Sequence, residues 1–356
     1  MGKGGHSGGQ SRARVRVILC TTVAFVALQC LSRSAGHGWM MKACSERASE
    51  RAASGRRASV VVTDVDGTLM NSTHQLPAAN YKALRHCMRL GVPVILATGK
   101  HRGPWFRQLL DQVTDDQVQA SSNWTLNAPG VFVQGLRVCD SAGQVVSTTL
   151  LPARVFDACA RLAKQEGWTL LAYTDSDQII SNQMSPLISS INALGEPPVQ
   201  LGSVDDGVGI HKLLFLGDPS MEEAVRGEVA AAIGAEASLT VAIPGMVEVL
   251  PRGICKADGV RQALQMLDVA PCDVLALGDG ENDLEMLGEI RHSGGIAAAV
   301  QNARPILKEV AEYTVASCDE AGWAQAVERW VLGMPDGSLL GDASDLTDSA
   351  VSPREK

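Results

Sequence analysis

The chain of 356 residues reads as an α/β protein built on a parallel sheet, with a second domain inserted into it. Three stretches carry that prediction: residues 60–69 (VVVTDVDGTL), 91–99 (GVPVILATG) and 273–287 (DVLALGDGENDLEML). Each opens as a short apolar run, as buried strands do, and ends in a glycine turn bearing an acid or a hydroxyl. The distance between the second stretch and Lys256 supplies the inserted domain. The 157 residues between Thr98 and Lys256 are too many for a simple crossover.

Val60, Val61, Val62 and Thr63 are β-branched and suit a strand interior. Asp64 and Asp66 follow, two apart and able to face one reacting centre, and Gly67 allows the tight turn after them. Leu84, Cys87 and Met88 make a short helical stripe between Pro77 and Gly91, which with a strand over 92–97 predicts a βαβ unit. Thr98 ends that strand and can donate to a phosphate oxygen. In the inserted part, Val155, Cys159 and Leu162 mark a helix, residues 168–173 and 211–216 strands, and residues 221–233 a second helix. Pro197-Pro198 predicts a loop at the substrate entrance, and His211 reads as a packed strand residue. Lys256 is expected in a loop before a helix starting near Gly259, where it can neutralise a carboxylate beside a phosphate. Asp279 then ends another strand, with Asp283 in the first turn of a helix marked by Leu284 and Leu287.

Strand carboxyl ends in a parallel sheet line one crevice, so Asp64, Asp66 and Asp279 are expected to meet there. Three hard oxygen ligands suit Mg²⁺, which is often shared with a substrate phosphate. No His/Cys grouping has the spacing of a zinc site. A pair of carboxylates can divide the labour of phosphoryl transfer, one attacking phosphorus and the other handling the leaving-group proton.

Taken in order, DVDGTL at 64–69, Thr98, Lys256 and GDGENDLEML at 278–287 resemble the four motifs of the haloacid dehalogenase superfamily. Residues 130–147 (GVFVQGLRVCDSAGQVVS) and Asn302-Ala303 resemble its Cof-type branch, closest to plastid-targeted members of plants and algae, over residues 59–334. The resemblance implies a Rossmann-like core with an inserted α/β cap of the C2 type. It implies Asp64 as the nucleophile that forms a phosphoaspartate and Asp66 as acid, then base. Mg²⁺ is then expected on Asp64, the Asp66 carbonyl and Asp279, with Asp283 supporting from behind. Thr98 and Lys256 are expected to hold the phosphoryl group and balance charge. Gly67, Thr68, Gly99, Lys100, Asn282 and Asn302 are expected around the phosphate. The activity implied is a Mg²⁺-dependent phosphatase for a small phosphorylated metabolite of the sugar phosphate, FMN or pyridoxal phosphate class. A phosphomutase shares the phosphoaspartate, and a non-catalytic binding protein shares the fold. Two departures bear on substrate choice: Gly99-Lys100 stands where the family commonly has Gly-Arg, and Gln134-Gly135 where it has Asn-Gly.

The implied organisation is a leader over 1–58, a core over 59–147 and 245–334, a cap over 148–244, and a disordered Asp/Ser/Gly-rich tail over 335–356. The leader holds ten Lys/Arg and two Asp/Glu, whereas the whole chain carries −8, so the remainder carries −16. That balance argues against nucleic acid as a partner and leaves anionic substrates to a local cationic pocket. Within the leader, basic residues precede a 15-residue apolar run at 17–31, and an Arg/Ser/Ala-rich segment follows. That signal-then-transit pattern predicts a plastid, with the secretory pathway, a membrane anchor or a mitochondrion as alternatives. No stable membrane partner is expected once the leader is gone. The nine cysteines show no CxxC spacing; Cys255 reads as a small hydrophobe, with a redox-sensitive thiol the alternative.

Overall fold

The computed structural model describes residues 57–113, 126, 128–205, 207–241 and 243–339. Residues 1–56, with nearly all of the predicted leader, and residues 340–356 lie outside the described residues. The elements begin with β1 (Val60–Thr63), α1 (Ala78–Arg89), β2 (Val94–Leu96), α2 (Pro104–Val113), β3 (Gly130–Phe132), β4 (Arg137–Cys139) and β5 (Val145–Thr148). They continue with α3 (Ala153–Glu166), β6 (Thr169–Thr174), β7 (Ile179–Ser181), α4 (Ile188–Ala193), β8 (Val199–Leu201), β9 (Ile210–Leu216), α5 (Glu222–Ile233), β10 (Ala237–Val241) and β11 (Met246–Pro251). The last are α6 (Lys256–Met266), β12 (Val274–Gly278), α7 (Leu284–His292), β13 (Ile296–Val300), α8 (Pro305–Val310), β14 (Tyr313–Val315) and α9 (Gly322–Val327).

Five of the strands form a parallel sheet in the order β14-β13-β12-β1-β2. Every residue of β1, β12 and β13 is buried, as their unbroken apolar runs require of strands covered on both faces. The central β1 pairs with β2 on one flank and with β12 on the other. The chain thus leaves β1 on one side and returns on the opposite side, so a crevice opens between the carboxyl ends of β1 and β12. Asp64 and Asp279 are the residues that follow those two strands. An isolated parallel bridge between Ala97 and Val131 extends the sheet to β3, from which β4 and β5 run as antiparallel hairpins.

The second sheet has the order β10-β11-β9-β6-β7-β8 and is antiparallel except between β7 and β8. Strand side chains alternate between faces, and here the alternation sorts chemistry. Leu170 and Ala172 of β6, Leu213 and Phe215 of β9, and Val247 and Val249 of β11 pack with Val155 and Cys159 of α3 and Val225 and Val229 of α5. The alternate residues, among them Leu171, Tyr173 and Leu214, belong instead to the core cluster shared with the first sheet. Lys212 and Glu248 have that same parity, so two charged residues in apolar strands are turned toward the crevice.

Three expected boundaries move. The second sheet runs on through β11 to Pro251, past residue 244, because Met246 to Val249 pair with β9. Residues 57–58 and 335–339 are built into the core: the Ala58 amide donates to the Trp330 carbonyl, and Glu328 accepts from the Gly337 and Leu339 amides. Leu339 is buried, so the expected disordered tail does not begin at 335. Finally, Lys256 opens α6 directly instead of lying in a loop three residues ahead of it. The unpredicted α2 buries Trp105, Leu109 and Val113, an i, i+4, i+8 stripe visible in the sequence, with Phe106 beside it. No helix among the described residues is long and apolar enough to cross a membrane.

Candidate active site

The turn after β1 is the first part of the site. Gly67 sits at φ +72°, and a Cβ placed on it would lie 2.4 Å from Asp279 Oδ2. Only glycine lets this turn and the β12 loop approach so closely. Gly67→Ala is therefore expected to lower stability by about 1–3 kcal/mol, checked by urea unfolding of the two proteins. Asn302 braces the same turn, donating to the Gly67 carbonyl at 2.8 Å and accepting from the Cys318 amide at 2.8 Å. Its amide is committed to holding backbone, and it does not line the cavity described below. Thr68 is buried, with its hydroxyl 3.5 Å from Asp279 Oδ1.

Lys256 links the two acidic loops. Fully buried at the start of α6, it donates from Nζ to Asp64 Oδ1 at 2.7 Å and to Asp283 Oδ1 at 2.7 Å. The second oxygen of Asp283 accepts from the Asp279 and Gly280 amides, both at 3.0 Å, which closes the loop after β12. Carboxylate oxygens of Asp64, Asp279 and Asp283 lie within 4.8 Å of one another. Three acids thus crowd on one lysine. Burial, aided by Asp283 and Asp66, pushes the Asp64 carboxyl up to about 7 against the pull of Lys256. Burial and then the charges of Asp64 and Asp283 push Asp279 well above the usual carboxylate range. Burial works to lower the Lys256 ammonium, but Asp283 and Asp64 outweigh it and raise it. An all-oxygen donor set with excess negative charge fits a hard divalent cation such as Mg²⁺.

Asp66 faces the same crevice in different company. Lys100 Nζ donates to its carboxylate at 2.8 Å and to the Leu194 carbonyl at 3.2 Å, and stacks 4.4 Å above the Trp105 ring. His74 Nδ1 lies 3.3 Å from the same carboxylate. Burial works to raise the Asp66 carboxyl, but Lys100 and His74 hold it below the usual value. Lys100, expected at the phosphate, lines the cavity described below and joins Asp66 to the segment ahead of Pro197-Pro198.

Between the sheets lies a cavity of about 70 Å³. Asp64, Asp66, Thr98, Gly99, Lys100, Asp279 and Asn282 line it from below, so the sequence-predicted residues converge with the exception of the buttresses Gly67, Thr68, Lys256, Asp283 and Asn302. Tyr173, Glu196, Lys212 and Glu248 line it from above, and none of these was predicted. A lone charge inside an apolar strand, as in IHKLLFL and MVEVLP, was the available signal for Lys212 and Glu248. They also tie the sheets together: Lys212 Nζ donates to the Gly99 carbonyl at 2.8 Å and to Glu248 at 3.0 Å. Gln134, at φ +60°, donates to Glu248 at 2.7 Å and accepts from Asn282 at 3.0 Å. The Asn282 amide is thereby directed to Gln134. His211 is buried with Nδ1 2.9 Å from the Thr149 carbonyl, a packed residue as expected. Burial pushes the Cys255 thiol well up, which disfavours the thiolate.

A parallel core whose switch-point crevice gathers carboxylates and a lysine beneath a second sheet defines a capped enzyme of the parallel α/β class. The chain belongs to the haloacid dehalogenase-like hydrolases, whose family model matches residues 61–327. It is 26% identical over 280 residues to an HMP-PP phosphatase of Yersinia pestis (strain Pestoides F), covering 75% of this chain and 93% of that protein. It is 32% identical over 278 residues to the chloroplastic endoribonuclease YBEY of Arabidopsis thaliana, covering 76% of this chain. That match spans 46% of the Arabidopsis protein, about half its length. The structure of a haloacid dehalogenase-like hydrolase from Bacteroides thetaiotaomicron shares the fold, with a TM-score of 0.64 at 23% identity, covering 76% of this chain and 98% of that one. The family and fold expected from the sequence are thus established, and the phosphatase expected from it agrees with the family and with the Yersinia relative.

Proposed function

We propose that this hydrolase is a Mg²⁺-dependent phosphatase that releases phosphate from a small phosphorylated metabolite through a phosphoaspartate on Asp64. One observation carries the reading: Asp64, at the cavity floor, is held 2.7 Å from the buried Lys256 ammonium and shares a 4.8 Å cluster with Asp279 and Asp283. In that setting an Asp64 oxygen attacks phosphorus while Lys256 offsets the repulsion between carboxylate and phosphate dianion. Asp64 and Asp279 would hold the metal, with Asp283 steadying Lys256 and the loop. When bound, Mg²⁺ neutralises charge on the phosphoryl oxygens. Asp66, held as a carboxylate by Lys100 and His74, is in the form that takes a proton from the water attacking the phosphoaspartate. A phosphate dianion arriving beside Lys100 competes for that ammonium, and Asp66 then takes up the proton it gives to the leaving oxygen. Thr98 donates to the phosphoryl group. The second sheet serves as the cap over the reacting groups.

Delivery to a plastid belongs to the same proposal, supported by the two-part basic leader and by the chloroplastic relative. Phosphate release by the full chain from a panel of phosphate esters tests the activity. Release is expected to rise with added Mg²⁺, fall to background in EDTA and return when Mg²⁺ is restored. Release unaffected by EDTA would sink the metal assignment. Conversion of a hexose phosphate into an isomeric phosphate, without free phosphate, would mark a mutase instead.

A further inference from the structure

The cavity roof differs from its floor in a way that bears on the leaving group. Glu196 is buried and accepts a hydrogen bond on each oxygen, from the His101 amide at 2.9 Å and from the Tyr173 hydroxyl at 2.8 Å. Both donors are neutral. A carboxylate has about four acceptor sites, so two remain beyond these bonds, on a residue that lines the cavity. Glu248 is matched differently, by the Lys212 ammonium at 3.0 Å. Lys212 in turn is occupied by Glu248, the Gly99 carbonyl and the Tyr173 ring, 4.3 Å from its Nζ. The roof therefore holds two carboxylates against one ammonium, and Lys100, the other cation that acts on Glu196, is bound to Asp66. Burial raises the Glu196 carboxyl above its usual value, against the pull of Lys212, Lys100 and its two hydrogen bonds.

The remaining wall is apolar, made by Ile191, Leu194, Leu214, Ile243 and Met246. A polyol would leave hydroxyls without partners against that wall, at a cost for each one. The cavity is small, about 70 Å³.

We infer that the preferred substrate is a compact phosphate ester whose leaving group carries a protonated amine on an apolar body, with Glu196 receiving the amine. This rests on the phosphatase reading and names its substrate class. The amine would place its N–H donors on the free acceptor sites of Glu196 and return the roof to charge balance, while its carbon chain lies along Leu214 and Met246. Charge-assisted hydrogen bonds of this kind are the strong ones, and discrimination by one is the expected scale of the effect.

Three esters of nearly equal size test it: 3-aminopropyl phosphate, n-butyl phosphate and glycerol 3-phosphate, with p-nitrophenyl phosphate alongside. The full chain with Mg²⁺ is expected to favour the aminopropyl ester in kcat/KM by about ten-fold over each of the other two. Glu196→Gln, which keeps the shape, should collapse that ratio toward one. Tyr173→Phe, which removes the hydroxyl that bonds Glu196 but not the charge, should keep most of it. Equal use of the three esters, preference for glycerol phosphate, or an unchanged ratio in Glu196→Gln would overturn the inference. So would a ratio lost equally in Tyr173→Phe, which would mark packing in place of charge. In each of those cases hydrolysis of p-nitrophenyl phosphate leaves the phosphatase reading standing. Release from none of the four esters overturns both.

Discussion

Asp64→Asn will abolish phosphate release while leaving the protein folded. An amide of nearly the same volume cannot attack phosphorus, so kcat/KM should fall by at least about 10³-fold, the scale seen when a nucleophile is removed. Stability should change little, because two effects oppose each other. The substitution removes one of three acids crowded within 4.8 Å, but it weakens the 2.7 Å contact to Lys256. Lys256 keeps Asp283 as its ionic partner at 2.7 Å. Steady-state phosphate release and a urea unfolding curve on the same sample check both halves. Retained Mg²⁺-dependent release would show that another group is the nucleophile; lost release with a lost fold would show that Asp64 is structural.

Lys256→Met will have the largest effect on stability of any single charge change in the site. Its ammonium is buried between two carboxylates, and methionine keeps much of the apolar stem without the charge. Removing one partner of a buried ionic group leaves the others uncompensated, at a cost of about 3–5 kcal/mol. Both acids would have to take up protons or draw in a cation to stay folded. The urea midpoint should therefore fall sharply in EDTA and recover in part with Mg²⁺, since a ligand that binds only the folded state stabilises it. Arg154→Ala is the contrast. Its partner Glu236 is 44% exposed and Arg154 itself 71% exposed, so the change should cost no more than about 1 kcal/mol. Equal effects from the two substitutions would show that the Lys256 cluster is better solvated than its burial implies.

The legible parts of the site share a property: each motif is local. VVVTDVDGTL and DVLALGDG each hold strand, turn and acid within about ten residues, so strand propensity, glycine conformation and acid placement are written side by side. Their meeting across some two hundred residues follows from parallel pairing alone, because all carboxyl ends then open on one side. The cap half had no such local code. Glu196 lies in the loop between α4 and β8, Tyr173 and Lys212 lie on strands that pair antiparallel, and Glu248 lies on a third strand beyond the expected boundary. Nothing in their spacing along the chain brings them together. The contacts of Lys100 are equally non-local: it lines the cavity as its place after Thr98 suggests, and the Leu194 carbonyl, 94 residues away, and the Trp105 ring hold its ammonium beside Asp66.

The amino-acid order alone specified a parallel α/β core, the inserted second domain, and the residues at the cavity floor, because strand burial and turn chemistry act over a few residues. The cavity's size, its excess of carboxylate on the roof, and the polar chain from Asn282 through Gln134 and Glu248 to Lys212 and Gly99 came only with the folded chain. Register decided them. Period-two alternation turns Tyr173, Lys212 and Glu248 to one face, but which face looks down on the crevice depends on how two sheets pack, and that is a property of the whole core.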